Sequence, residues 1–385
     1  MKIGIDARFA VRKRRGIGNY SLRLIRNLAD IDSGNQYILY IDREDTEEIL
    51  PARPNFCIKR LSPSNYLIWE QILLPLQAKR DNLDILHCLG NTAPIKISHR
   101  IKLVSSIMDV MYMKNYSELP QSSSIYQKLG RIYRKIIVPK TAGSLSKAIT
   151  ISCFSKTDIM HHLKSLRDED IAVTYLSAND WFKPCKNEVI FESLKKKYNI
   201  HNDFIFTLGA TDPRKNTERI IRTFLELKSK YSISEQLVIS ELPNWGDTLF
   251  YRMLQDSKYK NYVVFLDFVT EDELVCLYNY AKVFLYPSFY EGFGLPPLEA
   301  MSCGVPVITS NVTSIPEIVG DAAMLVNPYD DEELKDALLV MLSDEKVRSD
   351  YIERGFKQVK KFSWRKMAIE TLEIYKSLSF RGLPE

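Results

Sequence analysis

The sequence predicts an α/β protein of two doubly wound, Rossmann-like domains, on three observations. Short apolar runs alternate with amphipathic helical patterns, as parallel sheets with crossover helices require. The alternation lapses once, over the polar, proline-bearing stretch LSANDWFKPCKNEV at 176–189, and then restarts. A chain of 385 residues also exceeds what one core usually holds. The boundaries drawn are 1–180 for the first domain, 181–363 for the second, and 364–385 for a closing helix.

In the first half KIGIDA reads as a strand, GNYSLRLIRNLAD as an amphipathic helix and QYILYI as a strand. DILHCL, IKLVSSIMDV and SKAITIS read as further strands, with helical segments between them, one over about 122–144. In the second half DFIFTLGA, EQLVISE, YVVFLDFV, KVFLYPS and VPVIT read as strands. NTERIIRTFLELKSKY and TEDELVCLYNYA read as helices, as does the long stretch from DEELKDALL to QVKKF. SWRKMAIETLEIYKSL is the final helix. Doubly wound domains bind ligands at the carboxyl ends of their strands, so two such ends facing across a cleft are expected to make the active site.

The composition, 45% hydrophobic and 26% charged, is that of a water-soluble globular chain, and no run of about 18 apolar residues suggests a membrane span. The strand-like opening MKIGIDARF is read as excluding a cleaved leader, which places the chain in the cytoplasm. Cysteines 57, 88, 153, 185, 276 and 303 form no CxxC pair and are read as reduced packing residues. Residues 1–180 carry 27 basic and 18 acidic side chains, a net of +9, whereas the remainder carries 26 and 30, a net of −4. The basic excess includes RKRR at Arg12–Arg15 and Lys128, Arg131 and Lys135, which helical spacing puts on one face. A solvated surface would explain it; contact with acidic lipid headgroups or a phosphate-bearing acceptor is the sharper reading. No nucleic-acid reader motif accompanies the charge.

The chemistry concentrates in YPSFYEGFGLPPLEAMSCGVPVITS, Tyr286–Ser310. Gly292 and Gly294 suit backbone brought close to a ligand or held at positive φ. Pro296 and Pro297 suit a first helical turn, and Gly304 and Pro306 its end. Glu291 and Glu299 thus flank a helix N-terminus, where anions bind. Carboxylates that accept hydroxyl protons, beside an anion site, fit a nucleotide sugar. In GATDPRKN, Gly209 precedes a turn carrying Arg214 and Lys215, cations able to neutralise a departing diphosphate. Glu291 would meet sugar hydroxyls and Glu299 the ribose hydroxyls, with Phe293 and Leu295 packing alongside. Gly16 and Gly18 of RRGIGNY lie in the expected loop between first strand and first helix. Histidines 87, 99, 161, 162 and 201 show no ligand spacing, and neither GxGxxG nor GxxxxGK[ST] occurs, so no metal is assigned.

These motifs resemble those of the retaining glycosyltransferases of family 4, which have the GT-B architecture. The resemblance runs nearly end to end. GIGNY is similar to the family's N-terminal glycine loop, YLIWEQILLP (66–75) to a segment of its mannosyl- and rhamnosyltransferase members, and AITISCFSKTDI to its serine-x-phenylalanine-serine-lysine stretch. GATDPRKN resembles the diphosphate loop and YEGFGLPPLEAM the E-x7-E signature, here Glu291 and Glu299. The resemblance implies donor binding in the C-terminal domain, acceptor binding in the N-terminal one, no metal or other cofactor, and retention of anomeric configuration. The last helix, after FSW at 362–364, is expected to cross back to the N-terminal domain.

It implies catalytic roles for Glu291, Lys215, Arg214 and Asp109. Donor contacts fall to Gly16, Gly18, Gly209, Val269, Gly292, Phe293, Gly294, Leu295, Glu299 and Met108. Two departures stand out. Ala210 and Thr211 follow Gly209 where members often have Arg, a charge Arg214 can supply. Met108–Asp109 stands where members commonly have His–Asp. That histidine is expected near the sugar 6-hydroxyl, and Met prefers apolar contacts, which suits a 6-deoxy sugar such as rhamnose or fucose. The expected partners are a GDP-, dTDP- or UDP-sugar, a glycan or lipid-linked glycan acceptor in surface polysaccharide synthesis, and peripheral contact with an anionic inner membrane. Alternatives are a non-catalytic partner subunit, or a nucleotide-sugar epimerase or phosphorylase of the same fold.

Overall fold

The computed structural model describes residues 1–12, 16–114, 125–201, 203–242 and 245–379. Of the basic run Arg12–Arg15, only Arg12 is among them, and the start of the helix expected over 122–144 also lies outside. Packing divides the chain into two units, with breaks after Leu176 and Phe362; the segment from Ser363 belongs with the first.

The first unit holds seven parallel strands: β1 (Lys2–Asp6), β2 (Gln36–Ile41), β3 (Phe56–Arg60), β4 (Ile85–Cys88), β5 (Lys102–Ser106), β6 (Lys147–Thr150) and β7 (Ile171–Val173). Their order is β3-β2-β1-β4-β5-β6-β7, so it reverses between β1 and β4. The second unit holds β8 (Phe204–Leu208), β9 (Gln236–Ser240), β10 (Val263–Phe265), β11 (Val283–Tyr286), β12 (Val307–Ser310) and β13 (Met324–Val326), also parallel. Here the order is β10-β9-β8-β11-β12-β13, reversing between β8 and β11. Strands buried on both faces read as unbroken apolar runs, and FIFTL, QLVIS and VFLY do so.

Helix Thr217–Tyr231 buries Ile220, Phe224 and Leu227 at i, i+4 and i+7 against Ile205, Leu237 and Ile239 of β8 and β9. Helix Asp331–Ser343 adds Leu334, Leu338 and Met341 to the same core.

Three differences from the sequence reading have physical causes. β3, β7 and β13 are additional strands at or near sheet edges; β3 buries only Phe56, so no apolar run marks it. The long helical stretch after Asp330 is two helices, Asp331–Ser343 and Glu345–Val359, because the Asp344 carboxylate accepts from Val347 N at 3.0 Å and caps the second. Gly16 and Gly18 belong to the first turn of helix Gly16–Ile31 itself, and not to the loop before it.

Residues 66–80 form helical turns, Tyr66–Ile68 and Leu74–Arg80, joined by a wide π turn at Trp69–Leu73 that buries Trp69 and Glu70 together. Helix Trp364–Ser379 packs on helix Gly16–Ile31. Its Tyr375 hydroxyl meets His87 Nδ1 of β4 at 2.6 Å, while His87 Nε2 meets Ser106 Oγ of β5 at 2.8 Å. Tyr20 completes the chain at 2.8 Å from Ser106 Oγ. Burial pushes the His87 pKa down to about 3, so the imidazole is neutral. All six cysteines are free thiols, but only Cys88, Cys276 and Cys303 are buried; the other three are exposed, which corrects their reading as packing residues.

Candidate active site

Reversal of strand order in the second unit leaves a crevice where the loops after β8 and β11 diverge. The β8 loop is DPRKN. Asp212 accepts from Arg214 N at 3.0 Å and starts a short 3₁₀ turn, Pro213–Lys215. Asn216, at φ 61°, ends it. The Asn216 amide donates to Pro287 O at 3.0 Å and Pro328 O at 2.9 Å, tying this loop to the β11 loop. Phe289 N donates to Arg214 O at 2.9 Å and adds a second tie.

Across these ties lie the charges. Lys215 Nζ donates to Glu291 Oε1 at 2.7 Å, and Arg214 Nη1 lies 3.3 Å from Glu291 Oε2. Arg214 Nη1 also donates to Tyr290 O at 2.7 Å. The Tyr286 hydroxyl, bonded to Lys215, donates to Glu291 Oε1 at 2.9 Å. Burial alone would raise the Glu291 pKa, but Lys215 and Arg214 outweigh it and hold the carboxyl down at about 2. Burial lowers the Lys215 pKa and Arg214 adds to that, with Glu291 opposing. Arg214 Nε also lies 3.4 Å from Asp212 Oδ2, so two cations face two carboxylates and the cluster is balanced in charge.

The glycine loop follows. Gly294 has φ 118°, and a Cβ there would lie 2.7 Å from Ile315 Cδ1, so glycine is required on both counts. Ser314 Oγ donates to Glu291 O at 2.9 Å and to Phe293 O at 2.8 Å, which fixes the loop from below. Helix Leu295–Ser302 starts at once, with prolines in its first turn. Phe293 is buried edge-on to Phe362, and Gly292 and Leu295 are half-buried. Glu299 is half-buried on this helix, with the Tyr278 hydroxyl 3.4 Å from Oε2. Burial, with Glu271 and Glu241 nearby, raises its pKa to about 7.

The structure therefore brings Arg214, Lys215 and Glu291 into direct contact and places Gly292–Leu295 and Glu299 in continuity with them. Gly209 sits at the base of the β8 loop, where a Cβ would meet Ile239 Cγ2 at 2.5 Å; close packing explains this glycine. Val269 is half-buried just before Thr270, the cap of helix Glu271–Tyr280. Gly16, Gly18, Met108 and Asp109 belong to the first unit. Met108 is buried and its N donates to Asn91 Oδ1 at 2.7 Å; Asp109 Oδ1 accepts from Met111 N at 3.1 Å. Among the described residues no three His, Cys, Asp or Glu side chains gather as a metal-holding group.

Sequence reasoning missed Tyr286, Asn216, Ser314 and Tyr278, which position the charged groups. Only Asn216, at the end of DPRKN, carried a signal, since Asn tolerates a left-handed turn. It also missed a buried cluster in the first unit. Arg8 donates to Asp6 Oδ1 from Nε at 2.9 Å, and from Nη2 to Asp6 Oδ2 at 2.7 Å and Glu70 Oε2 at 3.0 Å. Its guanidinium lies 3.8 Å from the Trp69 ring centroid and 4.5 Å from that of Tyr66.

Residues 190–358 match the family described as Glycosyl transferases group 1. The O-antigen chain mannosyltransferase B of Escherichia coli is 29% identical over 377 residues, covering 94% of this chain and 96% of that protein. The serotype-specific mannosyltransferase WbdA of Escherichia coli is 34% identical over 47% of this chain, and the match spans only 23% of that longer protein. Among solved structures, WaaG, a glycosyltransferase involved in lipopolysaccharide biosynthesis, superposes with a TM-score of 0.71 over 97% of this chain and 99% of its own, at 16% identity. Anabaena HepE in complex with UDP-glucose gives 0.71 over 98% of this chain and all of its own, at 15% identity. These likenesses establish the GT-B fold, and residues 190–358 form a glycosyl transferases group 1 domain.

Proposed function

We propose that the protein transfers a hexose from a nucleotide-sugar donor to a glycan or lipid-linked glycan acceptor, with retention of configuration and without a metal ion. The observation that carries this is the Arg214–Lys215–Glu291 cluster, where two adjacent cations lie beside the N-terminus of helix Leu295–Ser302. Such a site suits a diphosphate whose charge grows as its bond to the sugar breaks. The C1–O bond to the phosphate cleaves and the diphosphate leaves with the electron pair. The acceptor hydroxyl oxygen bonds C1 on the same face, and its proton passes to the departing phosphate oxygen.

Lys215 and Arg214 hold the diphosphate, with Gly292 and Gly294 letting its oxygens approach the backbone. Glu291, whose two oxygens face Lys215 and Arg214, accepts sugar hydroxyls beside them, and Glu299 accepts the ribose hydroxyls. Val269 lies by the base. Gly16, Gly18, Met108 and Asp109 are assigned from the first unit, which takes the acceptor. The mannosyltransferase relatives favour mannose, with the donor left among GDP-, dTDP- and UDP-sugars. The apolar Met108 favours a 6-deoxyhexose, which leaves rhamnose as the rival.

Binding of GDP-mannose, GDP-fucose, dTDP-rhamnose and UDP-glucose to the purified protein, followed by product formation with and without EDTA, tests the reading. One donor binding tightly, weakened by Lys215→Ala, with turnover surviving EDTA, supports it. Binding of none, or loss of turnover in EDTA, overturns the corresponding part. If Met108→His leaves the preference between 6-deoxy and 6-hydroxy donors unchanged, the 6-deoxy assignment fails.

A further inference from the structure

Fourteen large hydrophobic side chains are exposed among the described residues, and half of them lie on two helical segments of the first unit. Leu67, Ile68, Ile72 and Leu76 lie on the 66–80 segment, and Leu129, Ile132 and Ile136 on helix Ile125–Ala142. Exposures of 53% at Leu67, 49% at Ile72 and 62% at Leu129 exceed what packing chemistry favours for such residues.

The two segments touch. The Tyr133 ring stands edge-on to Tyr66 at 5.4 Å, and its hydroxyl donates to Glu70 Oε1 at 2.8 Å and lies 3.0 Å from Gln71 Nε2. Leu129 and Ile136 flank Tyr133 by one turn on either side, and Leu67 and Ile72 adjoin Tyr66 and Gln71, so both apolar stripes border one seam.

The charge on this face has one sign. Residues 66–80 and 125–142 contain a single carboxylate, Glu70, which is fully buried, whereas Lys79, Arg80, Lys128, Lys135 and Lys140 are exposed. The basic face read from the sequence is thereby corrected at one position: Arg131 is buried, its Nε donating to Tyr112 O at 2.8 Å. A groove of about 950 Å³ beside the 66–80 segment adds Ile72, Leu76, Ile97, Lys79, Lys96 and Arg100, with one exposed carboxylate, Asp84, against three cations.

We infer that this face docks on a bilayer rich in anionic phospholipid, with Leu67, Ile72, Leu76, Leu129, Ile132 and Ile136 entering the headgroup–acyl boundary and the lysines meeting the phosphates. Apolar area and cations together are what interfacial binding requires, and neither alone is enough. A second copy of the chain is a poor occupant, because a self-contact would bring these cations face to face. The inference extends the proposed transfer to a lipid-linked acceptor and rests on that reading for its purpose, though the surface is defined by its own residues.

The test is co-sedimentation of the full chain with vesicles of phosphatidylcholine alone or containing 30% phosphatidylglycerol, alongside calorimetric binding of the donor nucleotide. Preferential binding to the anionic vesicles, weakening at 0.5 M salt, is expected. Lys128→Glu with Lys135→Glu should weaken it at least 20-fold, at about fivefold per cation. Leu129→Ser with Ile132→Ser and Ile136→Ser should abolish it, with circular dichroism and nucleotide affinity unchanged. Equal binding to neutral vesicles, no vesicle binding, or variants that bind like the parent would each overturn the inference. So would self-association in sedimentation velocity that the triple variant removes. Nucleotide binding that persists in any of these cases leaves the transferase reading standing, and its absence from the parent protein counts against that reading alone.

Discussion

Each unit places a cation–carboxylate cluster at the carboxyl end of its first strand, and the two clusters differ in balance and access. In the first, Arg8 serves two carboxylates, Asp6 and Glu70, and all three side chains are at most 1% exposed. In the second, Arg214 and Lys215 share Glu291, with exposures of 15%, 20% and 12%, and Arg214 also faces Asp212 at 3.4 Å. One cluster is sealed under Trp69 and Tyr66 with carboxylates in excess; the other is partly open, with two cations matched to two carboxylates. The same fold position is a sealed structural rivet in one unit and, in the proposed function, an anion receptor in the other. A salt bridge is therefore read by counting charges and access, and not by noting that it exists.

The difference can be broken by experiment, starting with the largest expected effect. Arg8→Met leaves two buried carboxylates unpaired and should cost about 3–5 kcal/mol of stability, read by urea denaturation; a loss below about 1 kcal/mol would mean the rivet is not structural. Lys215→Ala should leave the melting temperature within a few degrees yet lower kcat by roughly 10²–10³, the range for removing one preorganised charge-stabilising group. Equal losses of stability at both sites would erase the contrast.

Glu299 sharpens it through pH. Its folded pKa, raised to about 7, lies above the unfolded carboxyl range, so the folded state holds the extra proton and stability falls as pH rises from about 4.5 through 7. If Glu299 accepts the ribose hydroxyls as proposed, donor binding uses the carboxylate and should run the other way, weakening up to about tenfold per unit below pH 7. Glu299→Gln should flatten both profiles. Glu291, held at about 2, has the opposite stability sign: its contribution is present above pH 4.5 and lost as pH falls towards 2. The smallest effect is expected at Gly294→Ala, about 1–3 kcal/mol of stability from the strained φ and the contact with Ile315, measured by thermal unfolding.

Much of this was legible in the sequence because strands buried on both faces must be apolar throughout, and glycine–proline punctuation marks a loop and helix start without ambiguity. Arg214, Lys215, Glu291 and Glu299 stood out because cores need none of them. What stayed hidden depends on tertiary meeting. Lys215 and Glu291 are 76 residues apart, and nothing local says that Tyr286 lies between them. Asp6, Arg8 and Glu70 carried no signal in the sequence, because only the π turn at Trp69–Leu73 turns Glu70 inward. Edge strands β3, β7 and β13 were missed because short, partly solvated strands lack the signal that marked the central ones.

The partnership of His87 with Tyr375 spans 288 residues, and it bears on how the chain is made. Domains tend to fold in order as they leave the ribosome. Here the first-begun unit is the last to be finished: its central strand β4 presents a neutral imidazole whose hydroxyl partner is synthesised only after the whole of the intervening unit. During that interval the face of helix Gly16–Ile31 that later receives Trp364–Ser379 lies bare. The nascent chain thus carries an unfinished hydrophobic surface through most of its own translation, a period in which chaperone engagement has an obvious target and premature termination has an obvious cost.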